Sequence, residues 1–423
     1  MKILIAHNSY QQAGGEDAVV KAEARLLEDN GDTVIRYERS SNELRDNGVL
    51  ATMIAATRVV WSSPSYHSLE AILRETRPDI VHFHNTFPLI SPSAYFACAE
   101  KGVPVVQTLH NYRLICPGGQ LQRKGQICEN CVRKGVRWPG VVYGCYRGSS
   151  AMTAATAAML AVHGALGTWK RKVSLYIALS EFARAKFIEG GVPPERITVK
   201  PNFVHSAVKD RDQVGDSVLF VGRLSPEKGP QLLPVSWSRL RVRIPLHILG
   251  DGPLRADLVT QAASMQQSQI FMHGRCSTEQ VVSFMGSARC LVVPSLCYEG
   301  FPLSVAEAFS CGLPVIAARI GSLAEIVRDG VTGLHFEPGN VEDLAAKVKW
   351  AWEHPTEMSR MGRNARAEYK TKYEPQKNYQ MLMEIYKRAM AICAEDFALS
   401  LIAQSASLTA TQNSPHKGAA KGL

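Results

Sequence analysis

The stretch SLCYEGFPLSVAEAFSCGLPVIA, residues 295–317, predicts a loop, a helix and a buried strand in close succession. Pro302 suits the first position of a helix. The run LPVIA that follows Gly312 is short and apolar, which is typical of a strand in a parallel sheet. Two carboxylates, Glu299 and Glu307, lie eight residues apart on either side of the helix start. The spacing of elements favours an α/β protein, and the two acids call for a functional explanation.

The same alternation of apolar runs and helical patterns occupies most of the chain. It begins with the strand-like run KILIA and restarts after residue 210 with SVLFVGRL. Repeated strand–helix units predict parallel sheets with helices on both faces. The restart predicts two such units. The predicted fold class is therefore α/β, with two Rossmann-like doubly wound domains that face a cleft.

Breaks in the pattern give the domain boundaries. The polar stretch 202–216 separates an N-terminal domain, 1–205, from a C-terminal domain, 206–374. A long helix is predicted over 375–396. The Ser-, Ala- and Thr-rich segment 400–423 has the composition of a disordered tail.

A basic segment stands out in the charge distribution. The chain of 423 residues has a net charge of +10, and residues 113–172 hold ten Lys and Arg against the single acid Glu129. Such an excess can bind lipid phosphate, an anionic membrane surface or nucleic acid, or it can be a solvated face. Since no nucleic-acid motif accompanies it, we expect no nucleic-acid partner.

The N-terminus and the longest weakly polar run predict a cytoplasmic protein. The opening MKILIAHNSY has the pattern of a buried strand rather than of a signal peptide. The run 151–167 is short for a bilayer span of roughly 20 apolar residues, so we expect a soluble helix, at most peripheral at the inner leaflet. Ten cysteines in this setting are expected to be thiols or metal ligands.

Two glycine-containing loops have the residues that bind phosphate. In GRLSPEKG, residues 222–229, Arg223 and Lys228 follow a predicted strand, and their charges can neutralise a diphosphate without a metal. In AGGEDAVV, Gly14 and Gly15 precede the first helix, whose free N–H groups can cap a phosphate. An exposed loop pair and a simple tight turn are the respective alternatives.

The carboxylates of the opening stretch suit a sugar nucleotide. Glu299 can accept hydrogen bonds from sugar hydroxyls, and Glu307 from a ribose diol. Burying Glu307 without a partner would be costly, and a neutral polyol removes that cost. The alternative is one exposed helix acid and one loop acid.

These motifs together resemble the family 4 retaining glycosyltransferases of the GT-B fold. The resemblance extends over about residues 1–390 and rests on the EGFP…E spacing, GRLSPEKG, the GDGPL turn, GGED and the strand-end His110. It implies an N-terminal acceptor domain and a C-terminal domain that binds the nucleotide sugar. It also implies transfer without a catalytic metal and a final helix that crosses back to the N-terminal domain.

The resemblance also implies roles for individual residues. The expected catalytic residues are His110, Arg223, Lys228 and Glu299. The expected donor-binding residues are Gly14, Gly15, Gly222, Arg223, Lys228, Glu299, Gly300, Phe301, Pro302, Leu303 and Glu307.

Four cysteines in the basic segment form a separate motif. Cys116, Cys128, Cys131 and Cys145 have the spacing of a structural four-thiolate zinc site, although reduced packing thiols are the alternative.

His82 and His84, on one predicted strand, are expected to face opposite sides, so no shared metal is predicted there.

The sequence therefore predicts an enzyme, a retaining glycosyltransferase. Its expected donor is a UDP- or GDP-sugar, and its expected acceptor is a saccharide or lipid-linked saccharide in cell-surface polysaccharide assembly. A nucleotide-sugar 2-epimerase and a non-catalytic nucleotide- or partner-binding module remain as alternatives.

Overall fold

Two six-stranded parallel sheets form the centre of the protein. A computed structural model describes residues 1–10, 14–44, 56–205, 215–265 and 269–412, with side chains to residue 399. Each sheet has helices on both faces. Consecutive residues of a strand point to opposite faces, so they are buried in different apolar clusters. In the first strand, Ile3 and Ile5 pack on one face while Leu4 and Ala6 pack on the other. The predicted fold class, α/β with two doubly wound domains, is confirmed.

The first sheet belongs to the N-terminal domain and has the order β2-β1-β3-β4-β7-β8. Its strands are β1 (Lys2–Ser9), β2 (Thr33–Ser40), β3 (Ile80–Asn85), β4 (Val105–Thr108), β7 (Leu175–Ala178) and β8 (Ile197–Val199). The helices of this domain are α1 (Gly15–Asp29), α2 (Ser63–Thr76), α3 (Ser93–Glu100), α4 (Asn130–Arg133), α5 (Trp138–Val142), α6 (Ser150–Ala165), α7 (Thr168–Arg171) and α8 (Glu181–Glu189).

The second sheet has the order β11-β10-β9-β12-β13-β14. Its strands are β9 (Val218–Val221), β10 (Leu246–Leu249), β11 (Ile270–Gly274), β12 (Cys290–Val293), β13 (Val315–Ala318) and β14 (Gly333–Phe336). Its helices are α9 (Leu232–Trp237), α10 (Arg255–Ser264), α11 (Thr278–Ser287), α12 (Leu303–Ser310), α13 (Gly321–Ile326), α14 (Val341–Glu353) and α15 (Pro355–Lys372).

The strand orders fix where a ligand can bind. In each sheet the order reverses beside the first strand, between β1 and β3 in one domain and between β9 and β12 in the other. Chain connections leave a sheet in opposite directions at such a point, which opens a crevice at the carboxyl ends of the strands. Gly14 and Gly15 follow β1, Arg223 and Lys228 follow β9, and Glu299 follows β12, whereas His110 follows the neighbouring strand β4.

The last helix, α16 (Pro375–Gln412), returns to the first sheet. Leu382, Tyr386 and Ala389 are buried with Ile3 and Val20 in one apolar cluster. The helix continues beyond the predicted end at 396, so residues 400–412 are helical rather than a disordered tail. Residues 413–423 lie outside the described residues.

The basic segment 113–172 consists of a short hairpin, three short helices and the longer helix α6, and its hairpin contacts the C-terminal domain. A hairpin of β5 (Gln122–Arg123) and β6 (Gln126–Ile127) leads into the helices α4 to α7. The side chain of Gln122 donates a hydrogen bond to the carbonyl of Leu296, at 3.1 Å. The segment therefore lies beside the loop that follows β12. In the described part of the chain, no helix is both long and apolar enough to cross a bilayer.

Candidate active site in the cleft between the domains

Two loops of the C-terminal domain are held side by side by their backbones. Gly229, at the end of the GRLSPEKG loop, has φ 72°, and a Cβ there would lie 1.9 Å from the carbonyl oxygen of Pro294. The amide of Leu296 donates to the carbonyl of Glu227, at 2.8 Å. Only a glycine at position 229 permits the backbones of the two loops to approach so closely. The loop after β9 and the loop after β12 therefore form one unit.

Lys228 and Glu299 form an ion pair across these loops. Nζ of Lys228 lies 2.7 Å from Oε1 and 2.6 Å from Oε2 of Glu299, and the hydroxyl of Ser295 donates to Oε1 at 2.7 Å. Glu299 is buried and Lys228 is half-buried. Burial alone would lower the pKa of Lys228, but the carboxylate of Glu299 outweighs it and the pKa is raised. The lysine is therefore a cation at neutral pH.

Helix α12 begins directly after this pair. Pro302 is its N-cap and Leu303 its first residue, so Pro302 stands one position earlier than predicted. The first amide groups of any helix have no intrahelical acceptor, which makes this end a place for an anion. The side chain of Phe301 packs on Tyr373, with ring centroids 5.5 Å apart, so Phe301 meets the cleft through its backbone.

The glycine pair of the N-terminal domain meets the start of helix α12. Gly14 caps helix α1 and donates its amide to the carboxylate of Asp17, at 2.8 Å. A Cβ on Gly15 would lie 3.3 Å from Cδ1 of Leu303. Two predicted donor-binding segments that are about 290 residues apart in the sequence are therefore in contact.

His110 and Gly300 provide a second contact between the domains. His110 follows strand β4, and its carbonyl oxygen would lie 2.6 Å from a Cβ on Gly300. That distance is too short for any side chain. Gly300 therefore allows the loop before helix α12 to approach the backbone of His110.

The remaining predicted residues lie around these contacts. Gly222 directly follows strand β9 and donates its amide to the carbonyl of Leu249, at 3.1 Å, and the exposed Arg223 comes next. Glu307 is half-buried on helix α12, and burial raises its pKa. The structure places Arg223, like Lys228, after strand β9.

Sequence reasoning missed a polar group beside the glycine pair. The hydroxyl of Tyr10 donates to Oε2 of Glu16 at 2.9 Å, and the amide of Asn111 donates to the oxygen of Tyr10 at 3.3 Å. Burial raises the pKa of Glu16 to about 8, and Asp17 adds to this while Tyr10 opposes it. The acid directly after Gly15 in GGED was the available signal.

The prediction that His82 and His84 face opposite sides is wrong. Residues two apart on a strand share a face, and their rings are 4.3 Å apart. Both face the buried carboxylate of Glu23. Among the described residues, Glu23, His82 and His84 form the group of potential metal ligands whose ligand atoms all lie within 4.8 Å of one another, as a metal requires. The ammonium of Lys200, 2.9 Å from Glu23, already supplies the cation, so we interpret the group as a polar cluster.

The four predicted zinc ligands line one small cavity in the basic segment. Cys116 and Cys131 are buried, whereas Cys128 and Cys145 are half-buried. Burial raises the pKa of Cys131 and of Cys145. Among the described residues, the four sulfurs are not gathered within 4.8 Å of one another as metal ligands are.

Both halves of the chain match glycosyltransferase family models. Residues 13–208 match the family described as Glycosyltransferase Family 4, and residues 205–368 match the family described as Glycosyl transferases group 1. The two matches meet close to the boundary between the sheets. Each therefore corresponds to one structural domain.

Two related glycosyltransferases align with part of this chain. It is 34% identical over 154 residues to D-rhamnosyltransferase WbpZ of Pseudomonas aeruginosa, which is 36% of this chain and 40% of that protein. It is 30% identical over 199 residues to lipopolysaccharide 1,2-N-acetylglucosaminetransferase of Salmonella typhimurium, which is 41% of this chain and 52% of that protein. The chain thus spans about half the length of these relatives or less.

A solved structure matches nearly the whole chain. Anabaena HepE in complex with UDP and glucose is similar with a TM-score of 0.64, over 92% of this chain and 99% of that chain. The sequence identity is 18%, so this likeness concerns the fold.

Proposed function

The chain belongs to the GT-B glycosyltransferases, and on that premise we propose that it moves a sugar from a nucleotide-diphosphate donor to a saccharide or lipid-linked saccharide, with retention at the anomeric carbon. The proposal rests on one observation: the predicted donor-binding and catalytic residues contact one another at and beside the switch points of the two sheets. Lys228 binds Glu299, and the first residue of helix α12 meets Gly15. His110 lies against Gly300.

In this proposal the donor diphosphate lies between the Lys228 loop and the start of helix α12. The guanidinium of Arg223 and the ammonium of Lys228 supply two positive charges. The helix start adds free amides and a positive partial charge. Charge that develops on the departing diphosphate meets groups already in place, which lowers the barrier to transfer. The proposal requires no catalytic metal.

When the donor binds, the ion pair of Lys228 and Glu299 opens, and each residue exchanges its partner for a group of the donor. Before the donor binds, each residue satisfies the other. A diphosphate competes with Glu299 for the ammonium and frees the carboxylate. Glu299 then accepts hydrogen bonds from the hydroxyls of the donor sugar. Donor binding is thereby linked to the correct orientation of the sugar.

Glu307 holds the ribose of the donor. Its side chain is half-buried on helix α12, and burial raises its pKa. A 2′,3′-diol can donate two hydrogen bonds to one carboxylate and compensates this burial. We expect UDP or GDP to be the nucleotide.

Retention follows if the acceptor attacks from the face that the diphosphate leaves. The acceptor proton then passes to the departing phosphate oxygen, and no protein nucleophile is needed. His110 lies beside the sugar, and Glu16, which binds Tyr10, is available to an acceptor hydroxyl. The lipopolysaccharide enzyme among the relatives supports an acceptor from cell-surface polysaccharide assembly.

The basic segment is the proposed contact with an anionic membrane surface. Three of its aromatic and apolar side chains are more than half exposed: Trp138 at 57%, Val142 at 63% and Tyr143 at 53%. Arg123 stacks on Tyr143 at 3.8 Å, and Lys134 lies near Trp138. Exposed aromatic groups beside cations suit the headgroup region of a bilayer.

We also propose that one zinc ion holds this segment together. Its helices α4 and α5 have only four and five residues, so they enclose little core. Four thiolates around one cavity suit a closed tetrahedral zinc, which is structural rather than catalytic. Zinc binding would draw together the sulfurs of four cysteines that already line this cavity.

Product analysis tests the reaction class. The protein is incubated with each of UDP-, GDP- and ADP-sugars, with and without a lipid-linked saccharide acceptor, and the sugars are followed by NMR. A retaining transferase forms a glycoside only when the acceptor is present. The product has the same anomeric configuration, α or β, as the donor. Conversion of the donor alone into its 2-epimer identifies an epimerase. Donor binding without either reaction identifies a binding module.

A further inference from the structure

A buried row of polar groups leads from the last helix to His110. It starts at Lys200, whose ammonium lies 2.9 Å from Oε2 of Glu23 and 2.8 Å from Oδ1 of Asn378. Oε1 of Glu23 lies 3.2 Å from Nε2 of His84. Nδ1 of His84 lies 2.9 Å from Nε2 of His110. All of these except His110 are buried.

The charge states in this row follow from burial and from the lysine. Burial would raise the pKa of Glu23, but Lys200 and His82 outweigh it, so the pKa is held well below the usual value and the side chain is a carboxylate. Burial lowers the pKa of His84 to about 4 and that of His110 well below its usual value. Both imidazoles are therefore neutral at pH 7 and carry one proton each.

The position of the carboxylate decides which nitrogen of His84 carries that proton. Oε1 of Glu23 and Nε2 of His84 are buried, and among the described residues neither has a partner of hydrogen-bond geometry, so their contact at 3.2 Å is electrostatic rather than a hydrogen bond. A proton on Nε2 is attracted by the negative charge of the carboxylate at this distance. A proton on Nδ1 would leave a lone pair of Nε2 opposed to the carboxylate at 3.2 Å, which is repulsive.

With its proton on Nε2, His84 offers a lone pair at Nδ1. The nitrogen that faces it is Nε2 of His110, at 2.9 Å, which must then be the donor. A neutral imidazole that donates from Nε2 keeps an unprotonated Nδ1. The carboxylate thus sets the tautomer of a histidine with which it has no direct contact.

We infer that Glu23 and His84 are positioning residues that hold His110 in one orientation and in the tautomer with an unprotonated Nδ1, an acceptor for a hydroxyl of the transferred sugar. The part that concerns the sugar rests on the proposed function. The part that concerns the tautomer does not.

The same cluster contains a matched control. Nδ1 of His82 lies 2.8 Å from the hydroxyl of Tyr386, and Nε2 lies 2.8 Å from Thr108. This branch touches Glu23, at 3.1 Å, but does not lead to His110. Tyr386→Phe removes a buried hydroxyl from the cluster and leaves the row intact.

The first test is nitrogen NMR of the full chain labelled with ¹⁵N-histidine, with His110 assigned by His110→Gln. We expect the proton of His110 on Nε2 in the parent protein. A proton on Nδ1 overturns the inference, whether or not the protein transfers sugar. Absence of transfer with the proton on Nε2 would instead contradict the proposed function and leave the tautomer assignment in place.

The second test is Glu23→Gln, which keeps the shape of the side chain but removes its charge. We expect kcat to fall at least 100-fold while KM for the donor changes less than threefold, as when an orienting carboxylate is removed from an imidazole. Tyr386→Phe should retain more than a third of kcat. Because Glu23→Gln removes the counter-charge of the buried ammonium of Lys200, which keeps its hydrogen bond to Asn378, the double variant Glu23→Gln/Lys200→Met is measured as well and should show the same fall in kcat. Equal kcat in all variants overturns the positioning role.

Discussion

Lys228 binds both carboxylate oxygens of Glu299, at 2.7 and 2.6 Å, although the two residues are 71 positions apart in the chain. Each residue belongs to a loop at the switch point of the second sheet, and Gly229 brings the loops together. The pair therefore joins the proposed diphosphate-binding cation to the proposed sugar-binding carboxylate.

Glu299→Gln should separate nucleotide binding from transfer. Because the amide competes less for Lys228, we expect UDP or GDP to bind more tightly by a factor of roughly five, which is about 1 kcal/mol. Transfer should fall at least tenfold, since the sugar loses its charged acceptor. Calorimetric titration and initial rates measure the two effects.

The control for this substitution is Glu368→Gln. Glu368 is as buried as Glu299, at 8% exposure, and is also ion-paired, but with Arg328 and Lys372. It should change neither quantity. Weaker nucleotide binding by Glu299→Gln would show that the carboxylate supports the phosphate site instead of competing for it.

Gly300→Ala should impair the enzyme through the contact between the domains. The added methyl group meets the carbonyl of His110 at 2.6 Å, and a backbone atom cannot turn away. We expect a loss of about 1–3 kcal/mol of stability and at least a tenfold fall in kcat/KM. Thermal unfolding and transfer rates measure them.

Gly286→Ala serves as the comparison, because a Cβ at this position in helix α11 meets nothing within 4 Å. It should stabilise the protein by about 0.5–1 kcal/mol. Full activity of Gly300→Ala would mean that the two domains need not approach at this point.

The buried His84 should make the protein sensitive to acid. Burial lowers its pKa from 6.5 to about 4. The unfolded chain therefore takes up a proton that the folded chain refuses, and stability is lost as the pH falls from 6.5 towards 4. At most about 3 kcal/mol is involved. The charged or titratable groups around His84 are Glu23, Lys200, His7, His82 and His110.

The measurement is chemical denaturation of the parent and of His84→Gln between pH 7 and pH 4.5. The variant has no proton to take up at this position, so the parent should lose more of its unfolding free energy over this range. Parallel curves for the two proteins would contradict the assignment.

Zinc should be present in the purified protein. Metal analysis should find one zinc per chain, and a chelator should lower the thermal stability of the parent. Cys128→Ser should lose the zinc. Cys276→Ser, which changes a half-buried thiol outside the cavity, should retain it. A parent protein without zinc that ignores the chelator would favour packing thiols.

Much of the fold could be predicted because it depends on local pattern. Short apolar strands alternate with helices, and turn glycines such as Gly229 mark the loops. The resemblance to family 4 glycosyltransferases and the assignment as an enzyme are confirmed by the family matches. The strand orders, by contrast, depend on packing between elements that are distant in sequence.

The polar cluster around Glu23 shows what the sequence could not reveal. Glu23 lies on an amphipathic helix and Lys200 precedes a linker, and neither position has a motif. Their contact spans 177 residues. The pairing becomes visible only when helix α16 places Asn378 and Tyr386 beside the first sheet.

Nucleotide binding by two variants tests the central claim most directly. UDP and GDP are titrated calorimetrically into the parent, Lys228→Met and Glu307→Ala, with Lys186→Met as the control because this lysine pairs with Glu129. We predict that one nucleotide binds the parent and the control alike. Both site variants should bind it roughly 10- to 150-fold more weakly, as expected for lost charged hydrogen bonds. Equal binding by all four proteins, or no binding of either nucleotide by the parent, would contradict a nucleotide-sugar site in this cleft.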